Sequence, residues 1–334
     1  MAGLLGSSRK PYVTWTLLAL NVIVWIALSL TFRLSDSPRG MVLLDAGGLS
    51  GPLIADGQYW RLFTAMFLHA DGIHLLLNSI WLFMLGRMVE ALYGSARFTV
   101  IYLLAGLAGS VASYVLTSAI DGVGIGASGA IFGILGALGA FFVAKREALG
   151  EYGRQSFSGI LVISAIVLVF GFMTPGVDNW AHLGGLGGGF AVGRMLVPDY
   201  RRHTSFSDAG MSSRLVDLIA LSRRWSVVPA AIAVLAAGAL LGTVSVPDNP
   251  LSHVRDAQRH MEDGSFDRAL EELGLALGLD PAFSRAYLLA GEIFVELGDL
   301  DRARAQLYKA LAWAASRGEG DTEERARELL ATVN

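Results

Sequence analysis

Ser128 is the single hydroxyl in GIGASGAIFGILGALGAF (124–141), a run of glycine and apolar residues. A serine hydroxyl becomes a nucleophile when a base takes its proton, and histidine, with a pKa near neutrality, is the usual base. Three of the chain's six histidines lie in apolar surroundings: His69 and His74 in FLHADGIHLLLNSIWLF (67–83), and His182 in VDNWAHLGGLGGGF (177–190). His74 and Asn78 are four apart and share one helix face, whereas His69, five before His74, lies off it. Attack on a carbonyl creates an oxyanion that needs donors, and the Ser128 backbone N–H, the Asn78 amide and a His74 ring N–H are donors of that kind. Gly126 and Gly129 leave the backbone at Ser128 open to close approach. The same residues read differently as interhelical hydrogen-bond glue in a glycine-packed bundle.

The composition says which elements must carry these groups. Of 334 residues, 53% are hydrophobic and 16% charged, with a mean hydropathy of +0.51; these values point to a membrane protein. Apolar windows near 12–30, 62–86, 98–118, 126–144, 157–173, 179–197 and 227–246 are long enough to cross ~30 Å of hydrocarbon as helices. The first is too long for a secretory signal and shows no small-x-small cleavage site, so it is expected to remain as a span. Basic residues set the orientation. Arg9, Lys10, Arg87, Arg97, Lys145, Arg146, Arg154, Arg201, Arg202, Arg223 and Arg224 fall in one alternating set of loops, and only Arg33, Arg39 and Arg61 in the other. This predicts a cytoplasmic N-terminus, an extracytoplasmic C-terminal region, and Ser128, His74 and His182 at similar shallow depth near the outer face. Gly126, Gly129 and Gly133 of span 4, with Gly184, Gly185, Gly188 and Gly189 of span 6, predict a close approach that brings Ser128 to His182.

GASGAIFG (126–133) resembles the G-x-S-G motif of the rhomboid family of intramembrane serine proteases. HADGIHLLLN (69–78), AHLGG (181–185) and QYWR (58–61) are similar to that family's span 2, span 6 and first-loop signatures. The likeness covers about 12–197. It implies an all-α fold, a six-helix transmembrane bundle here extended by a seventh span. It also implies cleavage of transmembrane protein substrates near the outer membrane face by a dyad of Ser128 and His182. His74, Asn78 and the backbone at Ser128 and between Gly126 and Gly129 would hold the oxyanion, and Phe132 would pack on the histidine. Trp60 and Arg61 would be structural, Arg61 tying the long first loop (31–59) to neighbouring carbonyls. MVLL and GPLI in that loop suit partial embedding among membrane lipids.

Asp178, four before His182, suggests a triad, but an acceptor just before a helix is first a cap. Asn21, Glu90 and Arg97 read as packing or topology residues. A His69/His74/His182 zinc cluster is disfavoured by the five-residue spacing and the lack of a carboxylate, and neither a metal nor a cofactor is expected. The chain has no cysteine, which excludes thiol chemistry; no basic stripe suggests nucleic acid.

The organisation expected is a tail at 1–11, the core at 12–197, a cytoplasmic linker at 198–226, a span at 227–246 and a repeat domain at 250–334. In the last, an offset of 34 residues aligns Glu262/Glu296, Gly264/Gly298, Asp267/Asp301, Arg268/Arg302, Ala269/Ala303, Leu273/Leu307, Ala276/Ala310 and Leu277/Leu311. That is the tetratricopeptide period. Two such repeats and a terminal helix near 321–332 form a protein-binding surface. The alternative to the protease is a catalytically silent scaffold with the same bundle. A transporter would need paired intramembrane acidic residues or inverted repeats, and the spans show neither.

Overall fold

The structure is a computed structural model that describes residues 10–34, 39–55, 57–117, 123–174, 176–207, 210–245 and 250–333. The tail through Arg9 and residues 35–38 of the first loop lie outside the described residues. The chain divides near residue 245 into two compact units.

The first unit is a helical bundle. Helix α1 (Tyr12–Leu34) leads into a loop carrying α2 (Arg39–Asp45), α3 (Gly51–Ala55) and α4 (Arg61–Thr64). Then come α5 (Gly72–Tyr93), α6 (Ser95–Leu116), α7 (Ser128–Ala144), α8 (Arg146–Met173), α9 (Asn179–Leu196) and α10 (Val227–Ser245). Among the described residues, α1, α5, α6 and residues 154–173 of α8 are long and apolar enough to cross a membrane, while α7 and 227–243 are shorter apolar helices. In α9, glycine, His182 and Arg194 dilute the apolar residues.

The span expected at 62–86 begins later, at Gly72. Residues 61–67 form α4 and a 3-10 turn, Leu68 is extended, and the Asp71 carboxylate accepts His74 N at 2.8 Å to open α5. A side-chain acceptor before the first turn satisfies an otherwise orphaned N–H and so fixes the helix start. His69 therefore lies on the loop before α5. Gly150 breaks α8 with φ +53°, so the apolar pattern captured only the segment beyond it. The stretch read as a linker contains an antiparallel hairpin, β1 (Tyr200–Ser207) against β2 (Gly210–Asp217), Tyr200 facing Asp217. Arg97 reaches it from the start of α6, 2.6 Å from the Asp217 carboxylate.

Helix α7 is the centre of the bundle, with Gly129 to Ala140 all buried between α6 and α9. Glycine makes the α7–α9 approach possible. A Cβ on Gly185 would stand far inside van der Waals contact distance of Gly129 O, and one on Gly189 likewise of Gly133 O. Both obstacles are backbone and cannot swing away. Gly185→Ala or Gly189→Ala is expected to destabilise the bundle by about 3 kcal/mol, the upper end of overpacking costs, read as a lowered Tm in detergent. Glu90, in the last turn of α5, accepts from Val13 N, Thr14 N, Thr14 Oγ1 and Ser95 Oγ at 2.7–3.0 Å, so one carboxylate caps the first turn of α1 from another helix.

Among its described residues the second unit has five helices: α11 (Pro250–Glu262), α12 (Phe266–Leu279), α13 (Ser284–Glu296), α14 (Leu300–Arg317) and α15 (Gly320–Val333). The 34-residue period is physical. Gly264 and Gly298 both take the left-handed conformation, φ +71° and +74°, that the turn inside each hairpin needs. Ala269/Ala303, Leu273/Leu307 and Ala276/Ala310 are buried at equivalent places. Arg317 closes the stack with paired bonds to Asp280 at 2.8 and 3.0 Å, which hold that carboxyl below its usual range.

Candidate active site

Two helix starts build the site. Ser128 is the first residue of α7, and His182 lies in the first turn of α9. Because α7 and α9 are in glycine-mediated contact, the two side chains meet: His182 Nε2 is 2.9 Å from Ser128 Oγ. The Phe132 ring, one turn into α7, stacks on the imidazole at 4.4 Å between centroids and 15° between planes, which limits rotation about its χ2. His182 is buried at 6% exposure. A neutral imidazole so placed can accept the hydroxyl proton as the oxygen attacks a carbonyl.

Asp178 does not complete a triad. One of its oxygens accepts Ala181 N at 2.9 Å as the cap of α9. The other accepts Ser113 Oγ, from the last turn of α6. Among the described residues His182 Nδ1 has no hydrogen-bond partner. Ser113 therefore anchors the turn that carries His182. Sequence reasoning missed it, since a serine in an apolar helix carries no signal of its partner.

His74 and Asn78 border the same cleft. A Cβ on Gly126 would stand 2.8 Å from His74 Nε2 and 3.8 Å from Asn78 Nδ2. Both side chains thus face the backbone just before Ser128, and Gly126, at φ +119°, leaves the space between open. The Gly126 N–H is occupied by Ala65 O at 2.9 Å, so it is no oxyanion donor. The N–H groups that open α7 at Ser128 and Gly129 lack intrahelical carbonyls, as in any first helical turn. His69 packs edge-on to His74 at 5.1 Å, fully buried on its loop. Among the described residues no three His or carboxylate groups cluster as metal ligands.

The first loop is pinned to this region. Arg61 donates to Gly48 O at 3.0 Å, to Leu44 O and to Gln58 Oε1 at 2.7 Å, with its guanidinium 4.7 Å over the Trp60 ring. Leu49 in turn exchanges two 2.9 Å backbone bonds with Gly124, four residues before Ser128. The cleft above Ser128 has a volume of about 1400 Å³. Leu77 and Trp81 of α5 line it, with Val167 and Phe170 of α8 and Trp180 of α9.

The Rhomboid domain model matches residues 56–199 and a tetratricopeptide repeat model residues 260–322. The putative rhomboid protease YdcA of Bacillus subtilis is 35% identical over 194 residues, covering 58% of this chain and 92% of that protein. The chain belongs to the rhomboid family. Rhomboid protease GluP of Bacillus subtilis is 32% identical over 305 residues, 90% of this chain; the chain spans 54% of GluP's length. RHOMBOID-like protein 7 of Arabidopsis thaliana is 36% identical over 165 residues, about half of each chain. Family and apolar helices together make this rhomboid protein a multi-pass membrane protein, and its C-terminal unit a tetratricopeptide-like one.

Proposed function

We propose that the chain is an intramembrane serine endopeptidase that cuts transmembrane proteins through a Ser128–His182 dyad. The 2.9 Å contact between Ser128 Oγ and His182 Nε2 carries the reading. In the reaction, Ser128 Oγ bonds to the scissile carbonyl carbon while His182 Nε2 takes its proton. That proton passes to the leaving amine as the C–N bond breaks, leaving an acyl-serine. Water then attacks the acyl carbon, His182 again takes the proton, and its return to Ser128 Oγ frees the acid. The α5 and α8 walls of the cleft support sideways arrival of the substrate from lipid. Membrane lipids and transmembrane substrates are its partners. The test is labelling by a serine-directed fluorophosphonate in wild type and Ser128→Ala; labelling of both alike would make the protein a silent scaffold.

The positive-inside pattern supports a cytoplasmic N-terminus in the cell membrane, with the repeats outside recruiting a protein partner or substrate. Gly318 is left-handed at φ +69° and a poor place for a probe, whereas Ala315 is exposed on α14. Ala315→Cys in this cysteine-free chain is expected to react with an impermeant maleimide in intact cells; reaction only after lysis would refute the placement. Ending the chain after α10 is expected to leave cleavage of a generic substrate within about threefold, since the dyad needs only preorganised groups of the first unit. Cleavage of a natural substrate should fall selectively, as measured side by side.

A further inference from the structure

Helix α10 bears none of the site motifs, yet it is packed onto α6 at close range. A Cβ on Gly242 would stand 2.7 Å from the Tyr114 ring and 3.0 Å from Val115, and one on Gly238 3.1 Å from Val111, so glycines seat α10 against α6. In the last turn of α10, Thr243 Oγ1 lies 3.0 Å from Ala239 O, 3.0 Å from Tyr114 Oη and 3.1 Å from Tyr59 Oη. A hydroxyl has one proton and two acceptor lone pairs. With the proton given to Ala239 O, both tyrosines donate to the same oxygen, and its capacity is filled.

The two tyrosines lead to the two members of the dyad. Tyr59 directly precedes Trp60 and Arg61; Arg61 holds Gly48 O, and the adjacent Leu49 pairs with Gly124 in the segment leading into Ser128. Tyr114 is adjacent to Ser113, which holds the Asp178 cap of the turn bearing His182. From this fork, and resting on the protease reading above, we infer that Thr243 is a positioning residue. Its hydroxyl fixes the first loop and the end of α6 relative to each other, and thereby sets Ser128 against His182. Helix α10 is then part of the catalytic unit.

The test uses the full chain in detergent or liposomes. Thr243→Val keeps the shape and removes the hydroxyl; Thr243→Ser keeps the hydroxyl. Thr243→Val is expected to lower kcat and the fluorophosphonate labelling rate about tenfold with KM unchanged, short of the ~10²-fold that a 1 Å misplacement of reacting groups costs. Thr243→Ser should match wild type. Tyr59→Phe/Tyr114→Phe, which removes the donors and leaves Thr243, should reproduce the loss if the valine variant fails to fold, and adding Thr243→Val to that background should cost nothing more. Wild-type kcat in Thr243→Val, an equal loss in Thr243→Ser, or a rise in KM alone would overturn the inference. Labelling of wild type no greater than of Ser128→Ala would instead overturn the protease reading, and the inference with it.

Discussion

Ser128→Ala and His182→Ala are each expected to lower cleavage of a model transmembrane substrate by about 10⁴-fold or more, the scale on which a nucleophile or its base acts when the two work as a unit. Neither side chain holds the fold. The Oγ–Nε2 bond is one hydrogen bond, worth about 1 kcal/mol net, and the α7–α9 contact rests on glycine backbones further along both helices. Expression, membrane insertion and Tm should therefore stay near wild type while product formation, followed by gel shift, disappears. The double variant should be no worse than either single one, since both remove the same step. Asp178→Ala supplies the contrast. It removes a helix cap, about 1 kcal/mol, and the Ser113 contact, but no proton acceptor for His182, so its loss of activity should lie nearer tenfold than 10⁴-fold. A loss as deep as that of His182→Ala would mean that Asp178 turns toward Nδ1 during turnover and that the site works as a triad. Cleavage by Ser128→Ala within about tenfold of wild type would remove the serine mechanism altogether.

The residues that meet at the site were legible because their signals are local. Two helices carrying glycine every few residues can approach only one way, and a serine and a histidine near the matched ends of such helices fall at one depth. The 34-residue period was legible for the same kind of reason: Gly264 and Gly298 answer one turn geometry, and Ala269 and Ala303 one packing constraint. What stayed hidden depends on partners remote in sequence. The break between Phe67 and Gly72 lies inside an apolar run, and only the Asp71 carboxylate on His74 N shows where α5 begins. Ser113 meets Asp178 across 65 residues, and Tyr59 meets Thr243 across 184; none of the four carries a pattern that names its partner. The hairpin at 200–217 was masked by composition, since a polar, arginine-rich stretch beside a membrane reads as connection whether or not its backbone pairs. Gly126 was legible as an open position, but not the use of its N–H by Ala65 O.

That occupied N–H sharpens the second large effect. With Gly126 committed to Ala65, the proposed protease mechanism would assign the oxyanion to Ser128 and Gly129 N–H at the head of α7 and to the Asn78 and His74 side chains across from them. Deleting one preorganised donor of this kind costs about 10²–10³-fold in kcat, so Asn78→Ala and His74→Ala should each fall in that range with KM little changed. Asn78→Asp separates charge from shape: it keeps the size, exchanges two N–H donors for acceptors and sets a negative charge toward the developing oxyanion, so it should be at least as inactive as the alanine variant. Gly126→Ala reaches the same donors from the backbone side, because its methyl would stand 2.8 Å from His74 Nε2 in a conformation, φ +119°, that alanine resists. It should match His74→Ala in kcat while leaving Ser128 and His182 untouched. In all four variants fluorophosphonate should still modify Ser128 to completion, only more slowly, since the nucleophile and base remain. Full activity in both Asn78→Ala and His74→Ala would assign the oxyanion to the α7 backbone alone, whereas loss of all labelling would show that these side chains shape Ser128 itself.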